Sequence, residues 1–204
     1  MQNIAWSKDF VMKRLLYAVL ILFITAQTGL TDDKNSAKEI LAGKLDAAIA
    51  VLQKKNMGQQ EKDRQIIEIV TPIFDFPFMA KLSLGRKYWP GLSNEQKQKF
   101  TDLFTKRLEA SYLEKLSLYN DETIVYKTPV QSGRKVEIPT EVISKDKLIS
   151  MTYKLYKSKH NWKIYDMEIE GISIIVTYRS QFDQILEKGT FDDLLLKLEA
   201  PENK

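Results

Sequence analysis

Residues 160–182 read HNWKIYDMEIEGISIIVTYRSQF, and the fold turns on how the periodicity changes along them. Trp162 to Ile169 is rich in aromatic and β-branched residues and reads as a strand. Glu170-Gly171 interrupts it, and glycine inside a strand pattern predicts a bulge or a bend. Ile172 to Tyr178 reads as a second strand segment, with Ile172, Ile174, Val176 and Tyr178 on one face. Arg179 to Lys188 then turns helical. A long strand bent in its middle curls its sheet, and the concave face of that sheet is where a site is expected.

Working outward, the period of two continues upstream. Thr123–Lys127 is one strand. Lys135–Ser144 is another, with Pro139 marking an edge or a bulge. In Lys147–Ser158, Ile149, Met151, Tyr153 and Leu155 face one way while Ser150, Thr152 and Lys154 face the other, the habit of an antiparallel sheet with one packed face. Lys145-Asp146 and Lys159-His160-Asn161 are its turns. This predicts a curved antiparallel sheet of four to five strands.

Further upstream the period becomes helical. Asn35–Met57 carries Ile40, Leu41, Leu45, Ala48, Ile49 and Leu52 near one face, with Ser36 and Glu39 as a capping box and Gly58 as its stop. Glu61–Val70 repeats the pattern until Thr71-Pro72. Phe74, Phe76, Phe78 and Met79 are a large apolar load, suited either to core packing or to a pocket wall. Phe78–Leu84 is a short helix with Gly85 at its end. Ser93 and Gln96 cap the longest helix, which carries Phe100, Leu103, Phe104, Leu108, Tyr112 and Leu116; about 26 residues give it a length of about 39 Å. Thr190 and Asp193 cap a final helix with Leu194, Leu195 and Leu198. Helices first, strands together, then helices is the α+β class.

Lys13-Arg14 precede a twelve-residue apolar run, Leu15–Ala26, the layout of a secretory signal. The run is short for a membrane span, which takes about 20 residues. Residues 1–28 are therefore expected to be a signal peptide, with Met12 a tidier start than Met1, and residues 29–204 a single domain; an uncleaved anchor and a buried helix are the alternatives. Losing residues 1–28 removes Lys8, Lys13, Arg14 and Asp9 and lowers the net charge from +4 to +2. So balanced a surface argues against nucleic acid, which needs clustered cations.

The chain has no cysteine and one histidine. Disulfides, thiolate zinc sites and cysteine nucleophiles are excluded, and His160 sits in a turn with no second imidazole to share a metal. Gly171-Ile172-Ser173-Ile174-Ile175 lacks the closing glycine of a nucleophile elbow. Asp166 and Glu168 share a strand face, where they either hold a cation, serve acid–base work, or are solvated or salt-bridged. Lys154, Lys157, Lys159 and Lys163 form a solvated edge or a docking patch for an acidic partner or lipid head groups. No catalytic residue, metal or cofactor is expected.

Three blocks carry a resemblance: Trp162–Phe182, with its aromatic-Tyr-Asp strand followed by Glu-Gly-Ile-Ser and Tyr-Arg; FDFPFMAKLSLGRKYW at Phe74–Trp89; and the Ser-x-x-Gln-x-x-x-Phe-x-x-x-Phe helix at Ser93–Tyr112. In order and at this spacing they resemble the toluene-tolerance (MlaC) family over roughly residues 35–200. The resemblance implies an NTF2-like arrangement with an apolar cavity between sheet and helices. It also implies a non-enzymatic periplasmic carrier of phospholipid that serves an ABC-type lipid transport system and outer-membrane lipid asymmetry. Its implied partners are an inner-membrane ABC transporter complex with an MCE subunit and an outer-membrane lipoprotein/porin complex; a monomer is expected. The lining residues come from periodicity: Phe74, Phe78, Leu82, Tyr88, Phe100, Phe104, Ile149, Met151, Tyr153, Ile172, Ile174 and Val176. Arg179 matches the family's Tyr-Arg element and either meets a phosphate head group or caps the following helix. A hopanoid-like cargo, a cargo-free interaction module, and an enzyme built on an NTF2-like cavity remain as alternatives, the last disfavoured by the residue inventory.

Overall fold

The computed structural model describes residues 28–116, 123–144, 147–159 and 161–200. The expected signal segment, His160 and the Lys145-Asp146 turn lie outside them. Helix α1 (Thr28–Leu52) is followed by α2 (Gln59–Val70), a 3₁₀ turn, α3 (Phe76–Tyr88), a second 3₁₀ turn, and α4 (Asn94–Leu116). Strands β1 (Thr123–Tyr126), β2 (Val130–Ser132), β3 (Lys135–Ser144), β4 (Lys147–Lys157), β5 (Trp162–Ile169) and β6 (Ile172–Ser173) come next, and then α5 (Ile174–Leu186) and α6 (Phe191–Glu199). The sheet is antiparallel and ordered β1-β3-β4-β5-β6, with β2 on β3 beside β1. Six strands stand where four to five were expected, because β2 and β6 are too short to show a period.

Helix starts follow local chemistry. Ser93 and Gln96 exchange bonds ahead of α4, Gln96 N donating to Ser93 Oγ and Ser93 N to Gln96 Oε1, which satisfies donors that a helix N-terminus leaves orphaned. Thr190 and Asp193 do the same for α6. Asp75 caps α3, with Pro77 in its first turn. Gly85, at φ +76°, kinks that helix near its end. The expected Ser36/Glu39 box is overturned: α1 already runs from Thr28, so both residues are interior.

Pro139 sits mid-strand, opposite Thr152 of β4. Its carbonyl accepts from Lys127 N at 2.9 Å, so its missing N–H faces the edge side of β3, where β1 has ended and β2 has not begun. No ladder bond is lost.

The decisive stretch departs from expectation at Glu170-Gly171. These residues have φ +49° and +77°, the positive pair of a two-residue hairpin turn. The chain reverses there: Ile172 pairs with Ile169 and Ser173 with Glu168. The expected strand Ile172–Tyr178 is two residues long, and α5 begins at Ile174. Ser173 Oγ accepts from Val176 N at 3.1 Å and donates to Asp166 Oδ2 at 2.8 Å, while Asp166 Oδ1 accepts from Ile175 N at 3.2 Å. Asp166, buried on β5, thus holds the first turn of a helix whose β-branched run reads locally as strand. The bulge lies elsewhere: Lys154 pairs with Asp166 but Leu155 with Ile164, leaving Tyr165 as the extra residue.

The main core lies between the sheet's inner face and helices α3 to α6, with Ala37 and Leu41 of α1. A second, smaller core joins Ala48, Val51 and Leu52 of α1 to Ile66 of α2. Among the described residues no helix is long and apolar enough to cross a membrane.

Candidate functional site

Strand register arranges the inner face of the sheet in cross-strand rows. Val136, Leu155 and Ile164 form one row, all fully buried. Ile138, Tyr153 and Met167 form the next, also buried. In the third, Thr140 is buried while Tyr126, Met151 and Ile169 are half-buried. In the last, Ile124, Val142 and Ile149 are all partly buried. The apolar face is therefore sealed at one end and less completely covered at the other. A closed core would seal both ends, since each half-covered aliphatic side chain forgoes part of the ~1.5–3 kcal/mol that burial gives.

Helix α1 lies across this face. Lys157 at the end of β4 pairs with Asp33 near the start of α1. Farther along, Lys38 Nζ donates to the carbonyl of Tyr126 at 3.3 Å, and Tyr126 Oη donates to Asp46 Oδ1 at 2.8 Å. Burial, and then the Asp46 carboxylate, push the Tyr126 hydroxyl well above its ordinary range. Burial does the same to Tyr153, whose hydroxyl has the Met151 thioether 3.9 Å away. Both phenols stay neutral at physiological pH, so the polar groups on this face are uncharged hydroxyls.

A groove of about 670 Å³ lies between α5 and α6, within the size range of small-molecule sites. Phe182, Ile185, Leu194 and Leu198 form its floor, with Tyr178, Gln181, Gln184, Lys188, Lys197, Ala200 and Arg107 around it. Arg107 Nη2 donates to the carbonyls of Lys197 and Leu198, both at 2.8 Å, and to that of Ala200, closing the C-terminal end of α6.

The structure scatters the residues predicted to line a single pocket. Ile149, Met151 and Tyr153 lie together on the inner face of the sheet, Tyr153 in a buried row and the other two in partly buried ones. Ile174 is buried in the first turn of α5. Ile172 and Val176, 65% and 59% exposed, stand on the outside, because the hairpin and helix replace the strand that would have aligned them with Ile174. Phe74 stacks on Phe76 at 5.4 Å beside β5, where Asp75 N donates to Ile164 O at 2.9 Å. Phe78 leaves the inner face; its ring lies 5.4 Å from Tyr156 and 6.1 Å from Tyr165 on the opposite face. Leu82 and Tyr88 are half-buried against the main core. Phe100 and Phe104 are fully buried and stacked at 5.9 Å, with Phe182 and Tyr178 edge-on to them.

Arg179 caps neither its own helix nor an open mouth. Its Nε donates to Leu82 O at 2.9 Å, joined by Nη2, and its side chain packs against Gly85 at the α3 kink. Asp166 and Glu168 do share a face, and Lys154 bridges them, 3.7 Å from Asp166 and in contact with Glu168. Burial pulls the Lys154 ammonium down, but the two carboxylates hold it above its ordinary value. The expected basic edge is dispersed: Lys154 faces this pair, Lys157 pairs with Asp33, and Lys163 donates to Pro72 O at 2.5 Å. Among the described residues no group of three or more His, Cys, Asp or Glu is placed to hold a metal ion.

Sequence reading missed Ile124, Tyr126, Thr140 and Val142 on the inner face. Their signal was present as the alternation Val136, Ile138, Thr140, Val142, masked by Pro139 and the charged residues between.

A family model for the MlaC protein matches residues 43–200. The intermembrane phospholipid transport system binding protein MlaC of Haemophilus influenzae is 24% identical over 193 residues, covering 91% of this chain and 90% of that protein. The solved structure of a phospholipid-binding protein from Ralstonia solanacearum, in complex with a phospholipid, superposes with a TM-score of 0.71 at 23% identity, covering 81% of this chain and 99% of the other. The α+β fold is shared along the whole length of that structure, and the chain described here belongs to the MlaC family.

Proposed function

We propose that this protein is a periplasmic phospholipid carrier, the soluble binding component of an ABC-type system that moves lipid between two membranes. The observation that carries the reading is the graded inner face of the sheet, fully buried at one end and only partly buried at the other, in a chain of the MlaC family. A diacyl lipid has roughly 30 methylenes, and exposing them to water costs on the order of 20 kcal/mol. Free lipid therefore crosses an aqueous space very slowly. A carrier lowers that barrier by covering the tails, which needs apolar surface and no catalytic group. The less buried end, around Ile124, Val142, Ile149 and Met151, is suited to acyl chains, with the Tyr126 and Tyr153 hydroxyls as neutral polar contacts beside it.

The Haemophilus relative is named for intermembrane phospholipid transport and the Ralstonia structure holds a phospholipid; both support this cargo class. The partners in keeping with the role are an inner-membrane ABC complex with an MCE subunit and an outer-membrane lipoprotein/porin complex. Export by way of residues 1–28 accords with it.

The test is native mass spectrometry of protein purified from the periplasm without detergent, followed by lipid extraction. A co-purifying species of phospholipid mass at near-stoichiometric occupancy is expected. Protein that arrives empty, and still takes up no labelled phospholipid from vesicles, would sink the carrier reading.

A further inference from the structure

The row of the inner face that holds Met151 runs out into solvent at one side of the sheet. Tyr126 pairs with Thr140, Thr140 with Met151, Met151 with Ile169, and Ile169 with Ile172. Residues paired across antiparallel strands put their side chains on the same face. Met151 and Ile169 are partly buried, and Ile172 is exposed. Val176, in the first turn of α5, is exposed too, while Ile174 and Ile175 beside it are buried. Ser173 lies between them and commits its hydroxyl to Val176 N and Asp166. Glu170, the charged residue of the turn, folds its carboxylate back to accept from Ser150 N at 2.5 Å. At the same end of β3 and β4, the cross-strand pair Ile143 and Leu148 is exposed on the opposite face. This end of the sheet is aliphatic on both faces, and its inner face continues into the partly buried row.

The chemistry of these side chains says what covers them. Protein interfaces take most of their binding energy from aromatic residues and arginine, with leucine and valine under-represented. Ile143, Leu148, Ile172 and Val176 include no such anchor. The half-buried aromatic set of Phe78, Tyr156 and Tyr165 lies toward the other end of β4 and β5. Burial of aliphatic surface is non-directional, so side chains projecting from a hairpin need no matching pocket when the medium they enter is fluid. Exposed apolar patches mark either protein or membrane contacts, and this one has the composition of the second.

We propose that the corner formed by Ile172 and Val176 is a membrane-contact surface, which enters the acyl region of a phospholipid bilayer when cargo is taken up or delivered. The proposal rests on the carrier reading. A lipid that leaves the bilayer at this contact passes along Ile172 to Ile169 and Met151 without exposing its chains to water.

The chain has no cysteine, so a single introduced cysteine can carry an environment-sensitive fluorophore. Mature protein with Val176→Cys is labelled and mixed with vesicles of phosphatidylethanolamine and phosphatidylglycerol whose acyl chains bear a nitroxide quencher. Val130→Cys is the control, since Val130 is equally exposed but lies on β2 at the opposite edge of the sheet. Quenching is expected at the first position and not at the control. In Ile172→Ser/Val176→Ser, phospholipid uptake from the same vesicles without quencher is expected to slow about tenfold. Occupancy reached from detergent micelles stays equal to that of wild type, and the thermal melt verifies the fold. Absence of quenching, or an uptake rate unchanged by the double substitution, overturns the proposal. So does quenching that stays wholly with the protein once the vesicles are spun away, because it comes from carried lipid. Transfer slowed only with native membranes, and not with protein-free vesicles, assigns the corner to a protein partner and also overturns it. A wild-type dimer that the double substitution separates does the same in favour of a second copy. Wild type that takes up no lipid from vesicles or micelles is instead the failure of the carrier reading, and the quenching still decides whether the corner meets a bilayer.

Discussion

Glu170 and Gly171 turn the chain between β5 and β6 in a two-residue hairpin, and their backbones tolerate that turn for different reasons. Gly171 has no Cβ to clash at φ +77°. Glu170 takes φ +49° against its preference, held by two bonds to Ser150: its N–H donates to Ser150 O at 2.8 Å, and Ser150 N donates to its carboxylate at 2.5 Å. Gly171→Ala, with open space around the new methyl, isolates the backbone term and is expected to cost about 1 kcal/mol, read as a lower urea midpoint with unchanged slope. Tyr156 carries a pH dependence. Burial, and then its bond to Asp75, push its hydroxyl from 10.0 up to about 12. A folded-state value above the unfolded one means the stabilisation is fully present below pH 10 and is lost as pH rises toward 12. Tyr156→Phe should therefore flatten the loss of stability between about pH 10 and pH 12, measured as urea midpoints across that range.

The elements of this fold are joined by side chains that reach from one to complete another. Asp166 on β5 supplies two acceptors to the start of α5, and Lys154 on β4 neutralises it. Asp166→Asn keeps the shape but leaves Lys154 and Glu168 to pair alone and weakens the cap. A loss of about 1–3 kcal/mol is expected, with α5 amides losing hydrogen-exchange protection ahead of those in β4. Arg179 ties α5 to the kinked end of α3 through Leu82 O. Arg179→Ala removes charge-assisted bonds and should cost about 1.5–3 kcal/mol. Arg179→Lys, which cannot form the planar fork, is expected to recover only part of the lost urea midpoint.

At the scale of the whole molecule, the packed side and the less covered side respond oppositely to added volume. Phe104 is enclosed by Phe100, Tyr178 and Phe182, so Phe104→Trp overpacks a filled core and should cost about 1–3 kcal/mol. Met151 is half-buried on the less covered end of the face, where a larger side chain can extend toward solvent. Met151→Trp is expected to leave the melting temperature nearly unchanged while reducing phospholipid taken up per protein in vesicle assays. Equal uptake by Met151→Trp and wild type would remove the cargo from that end of the sheet.

Local chemistry alone determined a good deal of this protein. Capping boxes at Ser93 and Thr190, the glycine at the α3 kink, the alternation of β4 and the α+β order all depend on neighbours within a few residues, so short windows of sequence carry them. The inward set Ile149, Met151 and Tyr153 was legible for the same reason. Ile174-Ile175-Val176 was not: three β-branched residues favour a strand locally, and the helix there is started by Asp166, seven or more residues upstream on another element, which accepts from Ile175 N and from the Ser173 hydroxyl that caps Val176 N. The dispersal of Phe78, Phe104 and Arg179 is also tertiary, since each is placed by a partner on a distant segment: Tyr156, Phe182 and Leu82. Periodicity marks which side chains leave water. Only the packing of one element on another decides whether they fill a core or leave one end of a sheet less covered, because the same apolar residue serves either purpose.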